Sequence, residues 1–148
     1  MNFMNRVFFS VAVLMSCLFS VAPTAWAADC VQNRATAPAP AKVYEKANPL
    51  KPTRKNLSAG RKLYMGDAKP FGCYQCHGIN GNSKGMTALK MTMKPRDFSC
   101  KAMMKNIPDG QLFWVIKNGS AGIEMKAYKK LKDEQVWQIV SYIRQFSK

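Results

Sequence analysis

Cys73-Tyr74-Gln75-Cys76-His77 is the most informative stretch of this 148-residue chain. Two thiols three positions apart, followed at once by an imidazole, make the C-x-x-C-H pattern of covalent c-type haem attachment. The spacing has a geometric reason. Each thiol can add to one of two vinyl groups on a haem edge, and the next residue then lies under the iron and offers a ring nitrogen. Two other chemistries use such a pair. A dithiol redox motif wants a preceding strand and a long following helix, whereas residues 78–85 read as loop. An all-cysteine zinc site built from Cys73, Cys76, Cys30 and Cys100 lacks close spacing in its second pair. The haem reading outranks both.

His77 is the only histidine in the chain, so a second axial ligand cannot be an intramolecular imidazole. The candidates are Met65, Met86, Met91, Met93, Met103, Met104, Met125, two further cysteines, the lysines, or nothing. Chain reach excludes few of them. Context favours Met125, which lies in a loop opened by Gly119 and Gly122 between two expected helices. A lone Met is otherwise a common core filler.

Outward from the motif, Leu57, Gly60, Leu63 and Tyr64 recur at helical spacing and predict a short helix over 58–66, with Asn56 or Ser58 as N-cap. Residues 78–94 hold no sustained period and read mostly as loop. Asp109–Lys117 groups Leu112, Phe113, Val115 and Ile116 on one broad face, and Asn118-Gly119 is a helix stop. The clearest helix is the last, about 133–145, where Val136, Ile139, Val140 and Ile143 form a stripe. Asp133 and Glu134 suit its N-terminal end, and Arg144 its C-terminal end. Long loops in so small a domain need an internal scaffold.

The N-terminus reads as an export signal. One arginine, Arg6, precedes the uncharged run 7–22, and Ala25-Trp26-Ala27 supplies small residues for cleavage after Ala27. An uncleaved anchor and a lipid-modified Cys17 are the rival readings. Cleavage leaves 121 residues with a net charge of +14, against +15 for the whole chain. The organisation expected is a secretory signal peptide at 1–27, a Pro-rich N-terminal arm at 28–56 and a haem domain at 57–148. The arm is punctuated by Pro38, Pro40, Pro49 and Pro52 and reads as extended. Its alternative is a floppy tail.

From about Leu57 to Phe146 the chain resembles the bacterial class I monohaem cytochromes c. The matching stretches are Gly60-Arg61-Lys62-Leu63-Tyr64, Cys73–Gly78, Lys94-Pro95-Arg96-Asp97-Phe98, Asp109–Gly119, Met125 and Trp137–Arg144. The resemblance implies an all-α fold of three or more short helices and long loops around one covalent haem c. It implies that the first and last helices cross near Gly60, with Tyr64, Ile139 and Tyr142 packed there. It also implies His77 and Met125 as the axial pair. Two positions depart from the family pattern. Lys126 follows Met125 where the family often has Pro. Met86 stands where a family Pro often lends its carbonyl to the proximal ring, so the partner of that ring is left open.

Removal of Cys17 and use of Cys73 and Cys76 leave Cys30 and Cys100, an even pair in an oxidising compartment. A Cys30–Cys100 disulfide tying the arm to the haem domain is the expectation; an intermolecular bridge and unpaired or ligating thiols are the rivals. Twenty-three Lys+Arg against eight Asp+Glu make the chain strongly basic. Lys84, Lys90, Lys94, Lys126, Lys129, Lys130 and Lys132 flank segments expected to border the haem. They read either as a solvated surface or as a docking face for acidic redox partner proteins. An anionic membrane surface is a second contact; nucleic acid is a poor one for an exported chain. Phe98, Trp114 and Tyr128 are candidate haem-lining residues, and Arg96 is a candidate partner for a haem propionate.

The function expected is that of a periplasmic carrier of single electrons, not an enzyme, with both axial positions filled and no small-molecule substrate. The alternatives are a haem subunit of a larger dehydrogenase or oxidase, and a ligand sensor or enzyme with an open iron position.

Overall fold

A computed structural model describes Cys30, Gln32 and residues 36–148. The leader reading at 1–27 lies outside the described residues. Those described form helices and loops with no strand: α1 (Ala41–Tyr44), α2 (Arg54–Lys62), α3 (Tyr74–His77), α4 (Lys101–Met104), α5 (Asp109–Asn118) and α6 (Asp133–Ile143). A wide turn, Leu63–Asp67, extends α2, and a short tight helix occupies Met86–Lys90. None of these helices is long and apolar enough to cross a membrane.

Helix α2 begins four residues before the expected 58. Thr53, after Pro52, is the cap, its Oγ1 accepting from the Asn56 N–H at 3.3 Å. The first turn, Arg54-Lys55-Asn56, contributes no buried side chain, so hydrophobic periodicity carried no trace of it. Helix α6 starts at the expected residue, where the Gln135 side chain accepts from the Lys132 N–H at 2.9 Å. It ends at Ile143 rather than 145.

The core forms where α2 and α6 cross. Tyr64, Val136, Ile139 and Val140 are fully enclosed there, with Leu63 and Ile143 beside them. Gly60 makes the crossing: a Cβ on it would lie 2.1 Å from the Gln138 carbonyl oxygen, a distance no side chain can occupy. The Tyr64 ring meets Tyr142 edge-on at 5.4 Å and Phe146 at 5.3 Å. Helix α5 packs against α6 through stacked Phe113 and Trp137 rings, 4.3 Å apart.

Arg144 does more than complement a helix end. Its guanidinium meets Asp109 at 2.7 Å and donates to the Met104 carbonyl at 2.8 Å and to that of Ile107, which fastens the α4–α5 connection to α6.

Residues 36–53 lie along this body. Asn48 Nδ2 donates to the Trp137 carbonyl and to Ser141 Oγ, both at 2.9 Å. Gln111 accepts from the Ala39 N–H at 2.7 Å and donates to the Ala37 carbonyl at 3.0 Å. Cys30 is joined to Cys100 in a disulfide that spans 70 positions.

Candidate haem site

Helix α3 is a single turn that carries the motif. The His77 N–H donates to the Cys73 carbonyl at 2.9 Å, and Gly78 follows at φ +83°, turning the chain away. That left-handed turn ends the helix directly after the imidazole. Tyr64 Oη donates to the Gly78 carbonyl at 2.7 Å, which links the turn to the α2–α6 core.

Cys73, Cys76 and His77 line one cleft, together with Met125. The cleft encloses about 980 Å³ of space, its solvent-open part included. Its walls are mainly apolar: Phe98 on the motif side, Leu112, Val115 and Ile116 from α5, and Ile139 and Ile143 from α6. Cys73 and Cys76 are bonded neither to each other nor to another cysteine. Burial pushes the Cys73 thiol up to about 12. Burial also raises Cys76, with a smaller contribution from Glu124, while a hydrogen bond with Thr87 opposes it. Both sulfurs are therefore neutral thiols at ordinary pH. Zinc is disfavoured because Cys30 and Cys100 are committed to each other. Among the described residues no other cluster of metal-ligating side chains occurs.

The His77 ring is buried and oriented. Its Nδ1 lies 2.9 Å from the Arg96 carbonyl oxygen, and its face stacks on Phe98 at 4.3 Å. A carbonyl only accepts, so Nδ1 carries the proton and Nε2 keeps the lone pair a metal requires. The carbonyl partner left open by Met86 is thus supplied by Arg96. Met86 itself is exposed, on the outside of the Met86–Lys90 turn.

Met125 is presented by the α5–α6 loop. Gly119, at φ +74°, stops α5, and a Cβ there would lie 2.6 Å from the Met125 carbonyl oxygen. That oxygen accepts from the Ser120 N–H at 3.1 Å, which closes the loop. Met91 and Met93 also line the cleft. The other methionines do not: Met104 is enclosed in the core, Met103 lies near Arg96, and Met65 packs on the α2 side. Tyr128 lines the cleft and donates to the Phe71 carbonyl at 2.7 Å. Trp114 does not line it, a correction to expectation. Leu112, Val115 and Ile116 take the cleft-facing arc of α5, and Trp114 falls outside that arc.

The thiol pair, the oriented imidazole and the apolar cleft fit a covalently held haem. The family model for Cytochrome c matches residues 57–147. The chain belongs to the cytochrome c family, whose members carry covalently attached haem c and use it in electron transfer. A similar solved structure is the Kuenenia stuttgartiensis reducing HAO-like protein complex Kustc0457/Kustc0458, with a TM-score of 0.58 and 24% identity. The match covers 68% of this chain and 47% of that one, so the likeness spans about half of the neighbour and concerns the fold. No curated protein matched.

Proposed function

We propose that this chain is an exported monohaem cytochrome that carries single electrons between redox partner proteins, with His77 and Met125 as the axial ligands. The observation that carries the reading is that both thiols, the oriented imidazole and the Met125 loop line one apolar cleft. When bound there, the haem supplies one-electron Fe(III)/Fe(II) chemistry. Cys73 and Cys76 fasten it, the Arg96 carbonyl fixes the His77 tautomer, and the side chains from α5 and α6 exclude water. With His77 and Met125 both ligating, the iron would keep no open position for a substrate, which is why a carrier is preferred here to an enzyme or ligand sensor.

Partner choice follows from charge. Lys84, Lys90, Lys126, Lys129, Lys130 and Lys132 are exposed, and Lys126 reaches the cleft rim. These exposed lysines suit an acidic partner, or an anionic membrane surface as a second contact. Stopped-flow electron exchange with an acidic redox protein tests the docking reading. The rate should fall steeply as salt rises. A salt-independent rate would contradict it.

A second reading, a fixed haem subunit in a larger assembly, draws on the exposed apolar side chains Ile79, Met86 and Leu89. The structural neighbour is itself part of a complex. Gel filtration of material purified without affinity capture separates the readings: a shuttle elutes alone, a subunit with its assembly.

A further inference from the structure

One peptide group links the N-terminal arm to the His77 ring. The carbonyl of Arg96 and the N–H of Asp97 are its two ends. The carbonyl faces His77 Nδ1 at 2.9 Å. The N–H donates to the Gln32 side-chain oxygen at 2.9 Å. The same Gln32 carboxamide donates from Nε2 to the Pro95 carbonyl at 2.8 Å, so it grips the peptide groups on both sides of Arg96. Gln32 stands two residues from Cys30, whose disulfide to Cys100 anchors the arm next to this segment.

We infer that Gln32 is a positioning residue for the proximal histidine, acting through the 96–97 peptide to lower the reduction potential of the haem iron. The inference rests on His77 being an iron ligand. Hydrogen bonds in a chain polarise one another. Accepting from the Asp97 N–H enriches the Arg96 oxygen, and a richer oxygen draws harder on the Nδ1 proton. Nε2 then becomes a stronger donor, which favours the ferric ion over the ferrous one. The two bonds to Gln32 also hold the peptide plane in the orientation that the ring requires.

The test uses the exported, haem-loaded full chain and compares wild type, Gln32→Ala and the Cys30→Ser/Cys100→Ser pair by voltammetry. Gln32→Ala should keep its haem and low-spin spectrum. Its ferric/ferrous equilibrium should shift toward ferrous by up to about tenfold, or about 59 mV upward for one electron. The cysteine pair should shift the same way by less, because Gln32 remains but is held loosely. An unchanged potential in folded Gln32→Ala overturns the inference, as does a shift in the cysteine variant alone, which would make the arm mere packing. A second measurement needs no variant. In the wild-type holoprotein the Asp97 amide proton and the His77 Nδ1 proton should both exchange slowly, and fast exchange at Asp97 overturns the relay. A wild-type protein without haem would instead refute the ligation reading beneath it.

Discussion

The backbone of Gly60 touches that of Gln138: a Cβ at position 60 would sit 2.1 Å from the carbonyl oxygen and 3.0 Å from the Tyr142 Cβ. The obstruction is backbone, so no rotamer change relieves it. Gly60→Val therefore forces α2 away from α6. Overpacking costs roughly 1–3 kcal/mol even where side chains can adjust, so the expected loss is at least about 3 kcal/mol. Urea unfolding of the haem-loaded protein checks it. Retained stability would mean that the helices do not cross at Gly60.

Two buried phenols predict an alkaline limit to stability. Tyr64 and Tyr128 are held above the ordinary tyrosine range, first by burial and then by the nearby cysteine sulfurs. Once those sulfurs are thioethers they bear no charge, and burial remains for both phenols, joined at Tyr64 by the neighbouring Tyr142. A group whose pKa is raised on folding leaves stability intact below its unfolded value and erodes it above. The urea midpoint should thus stay level up to about pH 10 and fall beyond it. Tyr64→Phe should flatten part of that fall. It should also cost about 1–3 kcal/mol at neutral pH, since the Gly78 carbonyl loses its partner.

The Cys30–Cys100 link closes a long loop, separation 70, around the motif. In the chain-entropy account its removal costs about 4 kcal/mol. Denaturant midpoints before and after Cys30→Ser/Cys100→Ser measure the cost. Thiol titration of the unfolded, non-reduced holoprotein should find no reactive thiol.

Haem fastening divides between two sulfurs. Cys73→Ser or Cys76→Ser should leave haem attached by one link, and the double variant should release all of it to acidified organic solvent. Covalent haem surviving in the double variant would place the attachment elsewhere.

Much of this was legible in the sequence because it rests on short-range patterns. The C-x-x-C-H spacing, the α6 stripe and the Gly119 stop each lie within a few residues. The start of α2 was not legible, because its first turn is solvated and carries no apolar beat. Trp114 reads as haem-lining because the unbroken apolar run 112–116 on α5 leaves its facing ambiguous without a partner surface. The Arg96 carbonyl leaves no trace in the sequence, because a backbone acceptor has no residue signature. Gln32 was invisible for a related reason: its bond to Asp97 bridges 65 positions with no periodicity to mark it.

The most direct test is the absorption spectrum of the exported protein, oxidised, then reduced and exposed to carbon monoxide. A low-spin ferric spectrum with the weak red charge-transfer band of sulfur-to-iron ligation is predicted, and a ferrous spectrum that carbon monoxide leaves unchanged. The band should vanish in Met125→Ala. A high-spin spectrum that shifts with carbon monoxide would contradict the closed His77/Met125 site, and a colourless protein would contradict the haem itself.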